Sequence, residues 1–373
     1  SELQRERQLT YLIISHDLSI LRFLSHRLAI MYMGQLVEWG PTQEIYERPQ
    51  HPYTKALLAC RPVLHNKNER LPVVSDFMET DEAEMIVETI NTNEKLRINN
   101  EQLIIDPPLI KVENLKVWYP AHKTFTGKIT AYNKAVNNVS FEIYKGETLG
   151  LVGESGCGKT TLGRCLLGLI PPAEGNILFD NKDISKAKSH ELRLMRKEMQ
   201  IIFQDPYSSL NPRKKIGEAI AEPLKVHRLF ATEKQRKEKV MELLKKVNLS
   251  ADHYNRYPHE FSGGQRQRIV IARALVLQPK FVVCDESVSA LDVSVQAQIL
   301  NLLNDLKKEF NFTALFISHD LSVIRYISDR IMVMNKGVIE ETGYAEDLYL
   351  HPQKEYTKQL IASIPGIIYG PNI

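Results

Sequence analysis

Apolar and polar residues alternate through "LIKVENLKVWY" (109–119) and again through "AVNNVSFEIYKGE" (135–147), which predicts two half-buried strands. Three other apolar runs do not alternate: "TLGLVG" (148–153), "FVVCDE" (281–286) and "TALFISHD" (313–320). Short unbroken runs of this kind fit strands buried on both faces of a parallel sheet. Helical segments follow two of them, "TLGRCLLGLI" (161–170) and "VSVQAQILNLLNDLKKEF" (293–310). Buried strands alternating with helices predict an α/β fold on a mostly parallel sheet.

Part of this pattern occurs twice. "LIISHDLS" (12–19) returns as "LFISHDLS" (315–322), with His16 and His319 offset by 303. At that offset Tyr11–Pro62 aligns with Ala314–Pro365 without gaps, and nearly half the positions are identical. The identities include Arg22 with Arg325, Gly34 with Gly337, Gly40 with Gly343, and "YTK" at Tyr53 and Tyr356. Self-similarity over such a length implies two copies of one domain. Residues 1–62 therefore read as the C-terminal remnant of a first domain. Residues 63–108 read as an acidic, solvated linker, and residues 109–373 as a complete second domain with a tail at 344–373. In the first copy "TYLIISHD" (10–17) is a strand without its neighbours, and the helix "LSILRFLSHRLA" (18–29) has no sheet to cover. A remnant of this kind is expected to fold poorly by itself, leaving a stable core that starts near Leu109.

Composition narrows the function. Hydrophobic content of 43% and charged content of 25% are those of a globular chain. The start "SELQRERQ" lacks the apolar core of a secretory signal, and no run of about 18 apolar residues is present to span a bilayer. A net charge of +3 makes no case for nucleic acid, and the linker holds four Lys/Arg (Lys67, Arg70, Lys95, Arg97) against ten Asp/Glu. Acid there repels a phosphate backbone, so no nucleic-acid partner is expected. The cysteines at 60, 157, 165 and 284 form no CxxC pair, so neither a zinc site nor a disulfide framework is suggested.

The chemistry begins at "GESGCGKTT" (153–161), which fits GxxxxGK[ST] and sits between a predicted strand and a predicted helix. Glycines in such a loop let backbone N–H groups converge on phosphate oxygens, and the helix N-terminus adds its partial positive charge. The binding set is Gly153, Glu154, Ser155, Gly156, Cys157, Gly158, Lys159, Thr160 and Thr161. Lys159 is placed for the β- and γ-phosphates of ATP, and the Thr160 hydroxyl for Mg2+. The "FVVCDE" strand ends in two carboxylates, where open α/β sheets keep their chemistry. Asp285 is placed to hold Mg2+ through its water shell, and Glu286 to polarise an attacking water. His319 ends the next strand on the same sheet edge.

These residues carry a resemblance. "FSGGQRQRIVIARAL" (261–275) resembles the signature segment of ABC-transporter ATPases, and "IIFQDPYSSLNP" (201–212) their Q-loop. The order is that of the family: aromatic strand, P-loop, Q-loop, signature, DE strand, "SALD" loop and switch histidine. The resemblance implies a P-loop NTPase with a RecA-like mostly parallel sheet core, an antiparallel β subdomain and a helical signature subdomain. It also implies roles. Tyr119 would stack on adenine, ahead of Trp118. Gln204 would sense Mg2+ and couple to a membrane subunit. Ser262, Gly263, Gly264 and Gln265 would close over a partner domain's nucleotide. Asp292 would bridge the dimer, and His319 would contact the γ-phosphate. Two positions depart from the family: Phe261 stands where Leu is common, and Ser287 where Pro is usual.

The tails "YERPQHPYTKALL" and "YLHPQKEYTKQLI" resemble the end of oligopeptide and dipeptide importer ATPases, a group whose features nickel importers share. Some of those relatives carry an iron–sulfur cluster in the tail; only Cys60 lies in either tail here, so none is expected. The resemblance implies an ATPase on the cytoplasmic face of the plasma or inner membrane, attached peripherally. Its partners would be integral-membrane permease subunits, a second ABC ATPase domain and, indirectly, a substrate-binding protein. A tandem translation-factor-type protein would need a basic connector, and a non-hydrolysing regulatory module would not keep Lys159, Glu286 and His319.

Overall fold

The structure is a computed structural model that describes residues 6–15, 18–67, 69–78, 107–123 and 129–364. His16, Asp17 and most of the acidic segment, 79–106, lie outside the described residues. The chain divides into two compact units, Ser1–Arg97 with Leu291–Asn301 and Ala362–Ile373, and Ile98–Ala290 with Leu302–Ile361.

The first unit opens with α1 (Leu18–Leu24) and the antiparallel pair β1 (Arg27–Tyr32) and β2 (Gln35–Pro41). Three short helices follow: α2 (Thr42–Glu47), α3 (Pro52–Ala59) and α4 (Val74–Met78). Leu21, Leu28, Ile30 and Ile45 make a small core. The segment 11–15 forms no strand, and Leu12 and Ile14 are each 91% exposed. A strand of this apolar type is stable only between neighbours that take up its N–H and C=O groups and cover its faces. The predicted helix over 18–29 is also shorter than expected. It stops at Leu24, where the Ser25 hydroxyl donates to Leu21 O at 2.6 Å and the Thr42 hydroxyl donates to Ser25 O at 2.8 Å. His26 O accepts from Thr42 N–H, which fixes the start of β1.

The linker differs from expectation in its first part. Leu71 is fully buried, and Phe77 is buried with Ala56 and Ala59 of α3. Leu71 exchanges two backbone-to-amide hydrogen bonds with Asn301 of the same unit. The apolar spacing of Leu71, Val74 and Phe77 was hidden in sequence by the acidic run that follows.

The larger unit begins with β3 (Ile110–Lys123) and β4 (Ile129–Ile143), then β5 (Thr148–Val152) and α5 (Lys159–Leu166). Next come β6 (Glu174–Phe179), β7 (Lys182–Asp183), α6 (Ser189–Met195), β8 (Met199–Ile202) and α7 (Pro206–Ser209). The helical part comprises α8 (Ile216–Val226), α9 (Glu233–Lys246) and α10 (Gly263–Leu275). The chain returns through β9 (Phe281–Asp285), α11 (Val293–Phe310, whose residues up to Asn301 belong to the first unit), β10 (Thr313–Ile317) and α12 (Leu321–Ile327). It closes with β11 (Arg330–Asn335), β12 (Val338–Tyr344), α13 (Ala345–Leu350) and α14 (Glu355–Ala362).

Six strands form one sheet in the order β12-β11-β5-β10-β9-β8, parallel except for β12, and β3, β4, β6 and β7 form an antiparallel sheet. The three non-alternating runs of the sequence are β5, β9 and β10, each buried at every position. They lie side by side, so the loop after β5 and the acids after β9 open at the same sheet edge. The core beneath them includes Leu149, Leu151, Leu162, Val283 and Ile317.

The sequence repeat is also a geometric repeat. At the same offset of 303, β1 and β2 correspond to β11 and β12, and the register slips at Ile30/Met31 and at Val333/Met334. Glu38 accepts from the N–H groups of Gln50 and His51 at 2.8 and 3.1 Å; Glu341 does the same for Gln353 and Lys354 at 2.8 and 3.1 Å. Arg22 sits over Tyr46 as Arg325 sits over Tyr349. What differs is burial. Met332 and Met334 of β11 are fully buried, whereas Met31 is 63% exposed in β1. An open apolar groove of about 1070 Å3 lies there, lined in part by Leu12, Ile14, Met31, Leu36 and Trp39.

Candidate active site

The loop between β5 and α5 curls around the Lys159 ammonium. Lys159 is buried and donates to Gly153 O at 2.7 Å and to Glu154 O at 2.9 Å. Two glycines permit this shape by close approach. A Cβ on Gly153 would lie 2.1 Å from Met334 O, and one on Gly158 would lie 2.1 Å from Ala135 O, both at positive φ. Glu154, Ser155 and Gly156 form an exposed rim, Cys157 is buried beneath it, and Gly337 N–H donates to Cys157 O. Thr160 and Thr161 are half-buried in the first turn of α5. The rim therefore opens to solvent while the cation lies at its floor, the arrangement that receives a polyphosphate.

The two carboxylates after β9 have different surroundings. Asp285 is buried and accepts from the Thr160 hydroxyl at 2.8 Å. Burial pushes its carboxyl above the usual range, against the pull of the Thr160 hydrogen bond and the nearby Arg164 and Lys159 charges. Glu286 has a left-handed backbone at φ 48, a sparsely populated conformation that concentrates at functional sites. Its N–H donates to Ile317 O, and its carbonyl accepts from the Ser289 hydroxyl at 2.8 Å, so the turn is held from both sides.

Three elements meet at one oxygen. Glu286 Oε2 accepts from Gln204 Nε2 at 2.9 Å and lies 3.5 Å from His319 Nδ1. Gln204 follows β8, Glu286 follows β9 and His319 follows β10. The parallel order thus gathers residues separated by up to 115 positions, 204 to 319. Hard oxygen donors at Thr160 and Asp285 fit Mg2+, which is held by one or two carboxylates, water and substrate phosphates rather than by a protein cage.

The remaining predicted residues are placed elsewhere. Tyr119 lies on β3 opposite Asn133 and is 38% exposed. Trp118 is half-buried, with Lys116 and Lys134 over its ring and Tyr132 beside it. Ser262 caps α10: its hydroxyl accepts from Gln265 N–H at 3.3 Å, while Gln265 Oε1 accepts from Ser262 N–H at 3.1 Å. Gly263 and Gly264 form the first turn of that helix. No hydrogen bond or ion pair joins these four to Lys159, Asp285 or Glu286 among the described residues. Asp292 accepts from the Ser294 hydroxyl and Val295 N–H of its own turn and lines the groove beside β1. Sequence reasoning assigned no role to Met334, Ala135 or Gly337, whose backbones grip the P-loop, because backbone approach leaves little trace in residue type.

Comparison with known proteins agrees with this geometry. Residues 136–289 match the ABC transporter family, and residues 37–84 match the oligopeptide/dipeptide transporter C-terminal region. A dimeric ATP-binding cassette in a post-hydrolysis state, bound to ADP and Pi, superposes on 63% of this chain and 98% of its own, with a TM-score of 0.56 and 28% identity. The cbiO1 protein of Clostridium perfringens, part of the ABC transporter complex cbiONQ, covers 70% of this chain and 97% of its own, with a TM-score of 0.57 and 25% identity. The fold is therefore that of an ABC ATPase cassette. By sequence, the chain is similar to ABC transporter ATP-binding proteins of the oligopeptide, dipeptide and glutathione import type. It is 43% identical over 364 residues to the glutathione import ATP-binding protein GsiA of Pectobacterium atrosepticum, and 43% over 368 residues to GsiA of Escherichia coli K12. Each match covers 97% of this chain but only 57% of the relative.

Proposed function

We propose that this chain hydrolyses ATP to drive import of a peptide-class solute, glutathione or a short peptide, through membrane-embedded permease subunits. The observation that carries the reading is the Gln204–Glu286–His319 cluster beside a P-loop that folds around its buried lysine. In the proposed reaction Glu286 accepts the proton of the attacking water, with Gln204 orienting its carboxylate. His319 hydrogen-bonds the γ-phosphate as charge develops there. Mg2+, held through Thr160, Asp285 and Gln204, would neutralise phosphate charge. Tyr119 offers its exposed ring to adenine.

The peptide class rests on the tail match and on the names of the GsiA relatives. We read residues 1–62 as the end of a first ABC domain, because the carboxylate clamp, the cation–π pair and the register slip recur there at one fixed offset. Among the described residues no hydrogen bond or ion pair joins Ser262–Gln265 to Lys159, Asp285 or Glu286, and we take the nucleotide site to be completed by the signature of another domain. That domain is a first-half partner or a second chain, at the cytoplasmic face of the membrane. No helix among the described residues is long and apolar enough to cross a membrane, so attachment would run through the permeases.

The test is reconstitution with peptide-importer permease subunits from the same organism. Co-purification from detergent and ATP-dependent uptake of labelled glutathione or a dipeptide into proteoliposomes are expected. Failure to co-purify, or uptake indifferent to ATP, would refute the assignment.

A further inference from the structure

The phenol of Tyr356, in the tail helix α14, reaches a backbone group of the P-loop. Its oxygen accepts a hydrogen bond from Glu154 N–H at 3.3 Å. The other end of that same peptide unit is Gly153 C=O, which accepts from Lys159 Nζ at 2.7 Å. A trans peptide is planar, with its C=O and N–H pointing in opposite directions, so the two bonds hold opposite edges of one rigid plate. Turning that plate to release the phenol would also turn the carbonyl that aims Lys159.

The geometry points to Tyr356 as a positioning residue for nucleotide binding, through which the C-terminal tail sets the P-loop peptide that holds Lys159. The rest of the tail supports the reach. Glu341 on β12 accepts from Gln353 N–H and Lys354 N–H, which fixes the chain immediately before α14. Thr357 is fully buried and seats the first turn of the helix. Backbone groups of neighbouring elements also grip the loop: Met334 O against Gly153, Ala135 O against Gly158, and Gly337 N–H on Cys157 O. Tyr356 is thus a side-chain contact that the tail can make or withdraw. Its counterpart in the first copy, Tyr53, instead lies against Tyr32 at 4.3 Å between ring centroids. A tail displaced by a partner would release the plate and lower nucleotide affinity.

Tyr356→Phe in the full chain tests this, since the ring stays and only the hydroxyl goes. Titration with ADP and Mg2+ should show a Kd raised about two- to tenfold, the worth of one net hydrogen bond, with the unfolding temperature unchanged. Glu341→Gln should raise Kd similarly, and the double variant should be no weaker than the worse single one, because both act through one contact. An unchanged Kd in Tyr356→Phe, a Kd that rises only in step with lost thermal stability, or additive effects in the double variant would each overturn the proposal. The inference rests on residues 153–161 being the phosphate site. An unmodified chain that binds no nucleotide would strike that assignment, whereas a normal Kd in Tyr356→Phe strikes only the latch.

Discussion

Glu286→Gln is expected to bind ATP as the unmodified protein does and to hydrolyse it roughly 10²–10⁴-fold more slowly, the range a positioned general base contributes. The substitution keeps shape and nearly keeps the hydrogen-bond geometry. The amide oxygen can still take the place of Glu286 Oε2, which faces both Gln204 Nε2 and His319 Nδ1. What it loses is the ability to take a proton. Because the left-handed turn at Glu286 is held by its N–H to Ile317 O and by Ser289, Gln is expected to adopt the same backbone. Slow turnover with intact binding should trap the ATP-bound closed dimer, visible as a doubling of mass in size-exclusion chromatography. Turnover at the unmodified rate would mean that another group activates the water.

Lys159→Ala is expected to remove nucleotide binding from the micromolar range. A buried ammonium facing phosphates supplies charge-assisted hydrogen bonds, each worth about 1.5–3 kcal/mol, or roughly ten- to a hundredfold in Kd. The loss is larger here than at an exposed lysine for two reasons. Lys159 is buried, so solvent screens its charge little, and its ammonium also ties together the carbonyls of Gly153 and Glu154. Calorimetric titration with MgATP would read the change. An affinity equal to that of the unmodified chain would remove the P-loop assignment.

The central sheet was legible because its strands carry a physical signature. β5, β9 and β10 are covered on both faces, so each reads as a short unbroken apolar run. The edge strand β8 is covered less completely, and Met199–Ile202 carries no such run bounded by turn residues. The helix α1 was over-extended for a related reason. Leu28 and Ile30 are apolar at spacings that suit either a helix or a strand, and only the Ser25 and Thr42 hydrogen bonds decide where the helix ends. Chemistry at the site followed the same logic. Lys159, Asp285 and Glu286 stand out because a cation or a carboxylate beside a buried strand is costly unless it is used. The Tyr356 contact spans 202 residues and ends on a backbone N–H, so only the fold reveals it.

The groove beside β1 shows the same physics from the other side. Met31 and Met334 occupy the same place in the two copies, and one is exposed while the other is fully buried, because strands cover only the second. The proposed completion of the nucleotide site by a second domain is the claim most open to measurement. The ATPase rate per chain should be read in detergent-free solution over a wide dilution series. The proposed function predicts that the rate per chain falls toward zero as the concentration falls, because it has Ser262 to Gln265 of one domain closing over the P-loop of another. It further predicts that adding the Glu286→Gln chain restores nucleotide sandwiching without adding turnover of its own. A rate per chain that stays constant down to the lowest dilution would contradict this, and would mean that a single domain closes its own site.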